Sequence, residues 1–155
     1  MSLRASFFAL NTLQAWGAQI CAGDVVRGPY AAFAESPIDE RDLAAVGARA
    51  LCTDELAGRK LELTGPQSLT HEQMVALIGG VIGRPLRYQE IPAEAAKQGM
   101  IQHGFPEPFV EALMARYAKG AGQAAPVTGE MERILRRPAR TSAERVSDHA
   151  SAFCN

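Results

Sequence analysis

The chain has 155 residues, enough for one domain that buries roughly 70% of its unfolded surface. Sixteen Lys and Arg balance seventeen Asp and Glu, for a net charge of -1, and no basic stripe is interleaved with aromatics, which argues against nucleic acid as a partner. No apolar run approaches the ~18 residues of a membrane span, and no signal-peptide pattern leads the chain, so a soluble cytoplasmic protein is expected.

The first segment, Leu3 to Ala9, has almost no polar punctuation and reads as a strand buried on both faces of a parallel sheet. A helix over Asn11 to Ala22 follows, with Leu13, Trp16, Gly17 and Ile20 on one side. Gly23-Asp24 is a turn, and Val25 to Tyr30 is a short extended segment that Pro29 keeps near an edge. Residues 31 to 36 form a loop or a second short strand. Pro37 to Leu51 then carries the strongest local signal in the chain. Asp39 is an N-cap, Asp42 meets the positive end of the helix dipole, and Leu43, Val46, Gly47, Ala50 and Leu51 recur at helical spacing.

A polar connection over Thr53 to Arg59 leads to a short strand in which Leu61 and Leu63 flank Glu62, and Gly65-Pro66 ends it. Thr70 and Gln73 have capping-box spacing, ahead of the apolar face Met74, Leu77, Ile78, Val81 and Ile82. Gly83 stops that helix and Pro85 prevents its resumption. Leu86 to Ile91 alternates as a strand does. Beyond Pro92 the chain is helical in character, over Ala93 to His103 and Pro106 to Tyr117, with a flexible Gly/Ala-rich break at Gly120 to Ala125. Thr128 is placed to cap a short helix through Leu135, and Thr141 with Glu144 starts the last one, whose apolar face is Val146, His149, Ala150 and Phe153.

Cys21, Cys52 and Cys154 form no Cys-x-x-Cys pair and are expected as reduced thiols. His71, His103 and His149 lack metal-ligand spacing. A dinucleotide-binding domain needs a glycine-rich turn between a strand and a helix, because backbone must approach a pyrophosphate closely. Gly79-Gly80-Val81-Ile82-Gly83 instead falls at the end of an amphipathic helix. None of Tyr30, Tyr88 and Tyr117 has a lysine four residues on.

Several segments in order carry a resemblance. Leu3-Arg4-Ala5-Ser6-Phe7-Phe8-Ala9-Leu10-Asn11 resembles a late sheet strand of the NmrA-like atypical short-chain dehydrogenases. Val25 to Pro29, Pro37 to Ala44, Leu61 to Pro66, Thr70, Gly83-Arg84-Pro85 and Arg140-Thr141 follow in that family's order. The resemblance implies an α/β fold, the C-terminal portion of a doubly wound NAD(P)-binding sheet with a mainly helical substrate lobe. It divides the chain into late strands and helices over residues 1–66 and the helical lobe over 67–155. At about 30 residues per strand–helix–strand unit, roughly 130 residues are expected ahead of Leu3.

What the resemblance implies for function is the substrate-side part of an NAD(P)-dependent oxidoreductase, of the quinone or azo reductase or the epimerase-like kind, inactive as the isolated chain. The alternative is a non-catalytic NAD(P)-sensing or protein-interaction module; a third reading is an inactive remnant held by self-association. NADP or NAD is the implied cofactor of the whole protein, with none expected on this chain alone. Ser6, Phe7 and Asn11 match the segment beside the nicotinamide, and Phe8 and Arg27 are the candidate substrate contacts. Phe7 and Phe8 also suit core packing, and Asn11 also suits a helix cap. Ala5 stands where the family has proline, and Ala9-Leu10 where it commonly has Met-Glu. A small-molecule substrate and a homodimer complete the expectation, since a truncated parallel sheet leaves an apolar edge.

Overall fold

The computed structural model describes residues 2–153. Its strands are short and its helices dominate, an α/β architecture built on three parallel strand pairs and one antiparallel pair. Strand β1 (Ser2–Ala5) is followed by β2 (Phe7–Phe8), helix α1 (Leu10–Ala22), β3 (Val25–Gly28), β4 (Ala34–Glu35), β5 (Pro37–Ile38) and α2 (Glu40–Cys52). Then come β6 (Lys60–Leu63), β7 (Leu69–Thr70), α3 (His71–Ile82), β8 (Arg87–Glu90), α4 (Ala93–Gln102), α5 (Glu107–Gly120), α6 (Glu130–Leu135) and α7 (Ser142–Asp148). Single 3₁₀ turns occupy Asp54–Leu56 and Ala150–Phe153.

The expected first strand is in fact two. Residues 2–5 run parallel to β6 in the register Ser2↔Lys60 to Ala5↔Leu63, whereas Phe7 and Phe8 run parallel to Pro37 and Ile38 of β5. The chain changes partner at Ser6, whose amide still bonds the Leu63 carbonyl at 3.0 Å while the Ala9 amide reaches Ile38. Burial on both faces is not realised either: Arg4 and Phe8 are exposed, Phe8 to 43%. Gly65 makes the exchange possible. A Cβ there would sit 1.7 Å from the Pro37 carbonyl oxygen, so only glycine lets β5 close against the end of β6.

Strand β3 pairs in parallel with β8, Val25↔Arg87 to Gly28↔Glu90. Its other edge is closed by the Gln19 side chain, which accepts from the Arg27 amide at 2.8 Å and donates to the Arg27 carbonyl at 3.1 Å. The antiparallel pair joins β4 to β7.

Two apolar cores hold these pairs together. Trp16 and Ile20 of α1, Val26 of β3, and Met74, Val75, Ile78 and Ile82 of α3 form the first, closed by Val146 and Phe153. Ile38, Val46, Leu61, Leu63, Met131 and Ile134 form the second. Strand β6 shows why the alternation was readable: Leu61 and Leu63 are buried while Lys60 and Glu62 face out. Both capping boxes are made, Thr70 with Gln73 and Thr141 with Glu144, and Gly83 ends α3 in the left-handed conformation at φ 71°. Thr128 does not cap α6, whose N-cap is Gly129; its hydroxyl donates instead to the Glu62 carbonyl at 2.7 Å. Cys52 is a free, exposed thiol. Cys21 is disulfide-bonded, against the expectation of reduced thiols, and Cys154 lies outside the described residues.

The caps of α2 do more than start a helix. Asp39 accepts from the Arg41 amide at 2.8 Å and, with its other oxygen, from Arg140 Nε at 2.8 Å. Asp42 accepts from Arg137 Nη2 at 2.6 Å and from the Arg140 amide at 2.7 Å. Both carboxylates are buried, so every oxygen needs these donors. Asp42→Ala would leave the Arg140 amide without its acceptor and cut the tie to Arg137, and a loss of about 2–3 kcal/mol is expected, seen as a lower urea midpoint at unchanged slope. Arg137→Ala, which leaves one oxygen of the buried Asp42 without its donor, should cost about 1–3 kcal/mol.

Candidate functional site

In open parallel sheets, ligands settle in the crevice beyond the carboxyl ends of the strands. Here that place is a groove. It opens where β1 and β6 end, at Ser6 and Thr64, and is walled by Phe33 to Ser36 of the β4 region, by Arg116 and Gly120 of α5, and by residues 123–126. Its volume is about 350 Å³, and the lining is more apolar than polar, within the range of small-molecule sites.

The segment expected as a flexible break, 120–125, is fixed in place as one wall. The Gly122 amide bonds the Ala32 carbonyl at 3.0 Å, the Ala125 amide bonds Ser68 Oγ at 2.8 Å, and Ser36 Oγ donates to the Pro126 carbonyl at 2.7 Å. Thr64 Oγ1 accepts from the Thr128 amide at 2.8 Å. Ser6 Oγ, at the opposite rim, donates to the Ser36 carbonyl at 3.0 Å.

One charged pair marks the groove. Glu35 is 2% exposed, and both its oxygens accept from Arg116, at 2.7 Å from Nη1 and 2.8 Å from Nη2. This fork-to-fork geometry is the strong form of a charge-assisted contact. The Arg116 guanidinium also lies 5.0 Å from the Phe33 ring centroid. Phe33 packs on Tyr117 at 4.6 Å and on His71 at 5.5 Å, and His71 is further surrounded by Trp16 and Tyr88 at 5.7 and 6.0 Å. Burial pushes the Tyr117 hydroxyl up to about 12 and raises Tyr88 too, whose hydroxyl donates to the Pro29 carbonyl at 2.8 Å. His71 is 5% exposed, and its desolvation holds the imidazole below the ordinary histidine value, despite the neighbouring Pro29 carbonyl and Glu35 charge.

The residues singled out from sequence fall at different distances from this groove. Ser6 lines it. Phe7 packs against the first core, and Phe8 is exposed at the end of β2. Asn11 lies in the first turn of α1, half-buried; the N-cap position is Ala9. Arg27 is exposed on β3, its Nε donating to Gln89 Oε1 at 3.1 Å. Sequence alone points to neither Glu35 nor Arg116, and it weighs His71 only as a metal ligand without the spacing for one. Glu35 carried a signal, a lone carboxylate within the apolar run Tyr30-Ala31-Ala32-Phe33-Ala34. Arg116, 81 positions away, carried none.

No family model matches the chain. Similarity to individual proteins is extensive. The chain is 33% identical over 152 residues to a (4-alkanoyl-5-oxo-2,5-dihydrofuran-3-yl)methyl phosphate reductase of Streptomyces griseus, covering 97% of this chain and 53% of that protein. It is 38% identical over 117 residues to an NAD(P)H azoreductase of Xenophilus azovorans, covering 75% and 41%. Among solved structures, an NADPH-dependent quinone oxidoreductase of Escherichia coli superposes with a TM-score of 0.77 at 20% identity, over 94% of this chain and 53% of that one. The relatives and structural neighbours it resembles are NAD(P)-dependent reductases and nucleotide-sugar epimerases. It spans about half the length of the curated relatives it matches.

A dinucleotide's pyrophosphate needs a glycine turn between a strand and a helix. Among the described residues, the glycines of the 79–83 cluster lie within or at the end of α3, not after a strand. A Cβ on Gly79 would meet the Arg84 carbonyl at 2.6 Å, so that glycine serves close packing. The 79–83 glycines are therefore not the strand-to-helix turn that a pyrophosphate needs.

A pH dependence follows from His71. Its folded value lies below the unfolded one, so the unfolded state binds more protons between the two. Stability should fall as pH drops below about 6.5 and level off once the folded value is passed. His71→Phe should remove that slope in urea titrations between about pH 5 and 7; an unchanged slope would place its origin elsewhere.

Proposed function

We propose that this chain is the substrate-side half of an NAD(P)H-dependent reductase acting on small electrophiles such as quinones or azo compounds. The carrying observation is the groove at the carboxyl ends of β1 and β6, closed by a buried carboxylate–guanidinium pair. Support comes from the reductase relatives and from the match of the fold to a quinone oxidoreductase. In this reading residues 1–66 bring the strand ends and residues 67–155 the helical wall. Ser6, Phe7 and Asn11 face the nicotinamide side of the whole protein, and Phe8 and Arg27 its substrate side. NAD(P)H supplies the reducing equivalents in that protein. This chain's own residues shape the groove, exclude water and fix the substrate's orientation. Exposed Phe8 and Leu10, at the end of β2 and the start of α1, support a homodimer, with light scattering at twice the chain mass.

The test uses the 155-residue chain. Calorimetry should show no NAD(P)H binding, while menadione should shift the amide resonances of Ser6, Ser36 and Thr64. No turnover of NADPH with menadione is expected. Micromolar affinity for NAD(P)H would overturn the division between the halves, and an unresponsive groove would overturn the substrate assignment.

A further inference from the structure

We infer that the Arg116 guanidinium is a stacking platform that selects planar, uncharged aryl rings for this groove. The inference rests on the groove being the substrate site and adds which ligands that site prefers.

The Arg116 side chain is immobilised before any ligand arrives. An arginine normally loses much rotamer freedom when it binds a ring. Arg116 has lost it already. Its two terminal nitrogens are held by both oxygens of Glu35, and one face is supported by Phe33. Phe33 is in turn buried, and it reaches α5 closely because residue 120 is glycine: a Cβ there would meet the Phe33 ring at 2.6 Å. The helix position, the ring and the carboxylate thus fix one plane.

That plane remains half open. The Arg116 side chain is 50% exposed even with its terminal nitrogens paired to Glu35, and it lines the groove. A pre-set guanidinium plane facing an apolar cavity attracts the π-face of an aryl ring, through cation–π and dispersion terms strengthened by exclusion of water.

Charge decides the second half of the selection. The ionisable groups lining the groove are Glu35, Glu62 and Arg116. Glu35 and Arg116 neutralise each other at contact distance, and Glu62 stands opposite Arg4 in the β1–β6 register. An anionic ligand would meet an arginine whose charge Glu35 already offsets, beside two carboxylates.

The experiment titrates the chain with naphthol, naphthol sulfonate and the saturated analogue decalol, following the amides of Ser36, Gly120 and Gln123. Naphthol has no group for a reductase to reduce, so its binding reports the platform separately from the reductase reading. Naphthol should bind at least about 5-fold more tightly than either decalol or the sulfonate. Arg116→Lys, which keeps the charge opposite Glu35 but loses the plane, should weaken naphthol about 5-fold and leave decalol unchanged. Equal binding of naphthol and decalol to the unaltered chain, or a groove that naphthol does not perturb, would overturn the inference even if menadione binds. Selective naphthol binding without menadione binding would leave the platform standing and remove the reductase substrate reading.

Discussion

The two carboxylates at the start of α2 are the joint on which this structure depends. Asp39 and Asp42 are buried, and four donors from positions 41, 137 and 140 satisfy them. A carboxylate that has left water is tolerable only when its oxygens are satisfied, so the helix start and the segment leading into α7 are obliged to meet. That meeting sets α6 and its Met131 and Ile134 against Leu61 and Leu63 of β6, completing the second core. It also presents α7, whose Val146 enters the first core beside Met74 and Ile78.

The groove inherits its shape from this arrangement and from one glycine. Gly65 brings Pro37 against the end of β6, and the Ser36 carbonyl then accepts from both Ser6 and Gly65. Three chain segments end at one point, and the Glu35–Arg116 pair lies beside it. The α/β architecture explains why a cavity forms there, since strand ends are where parallel sheets hold ligands. The details belong to this chain: a rigid arginine, a supporting phenylalanine and a helix that ends in glycine.

Much of the fold was legible because its signals are local. Both capping boxes, the Gly83 stop, the Asp39 cap and the Leu61/Leu63 alternation depend on residues within a few positions of one another. What sequence reading missed is long-range. The division of the first strand at Ser6 depends on which strands lie alongside, and the run of apolar residues looks the same either way. Thr128 reads as a cap by type, yet the carbonyl of Glu62 claims its hydroxyl. The 120–125 stretch reads as loose because Gly and Ala carry no side-chain anchors, but Ser36, Thr64 and Ser68, remote in sequence, supply the anchors around it. The candidate site was harder still, because its charged pair joins residues 81 positions apart.

The parallel pairings also dictate when this protein can take shape during its own synthesis. Among the described residues, the partner of β1 is residues 60–63 and that of β3 is 87–90, both long after the strands themselves. The carboxylates of α2 cannot leave water until positions 137 and 140 arrive. Long-range closure of this kind carries its entropy cost before any contact compensates it. Among these contacts Phe7 and Phe8 meet their partners first, once residues 37 and 38 exist, and the ion pairs of α2 form last.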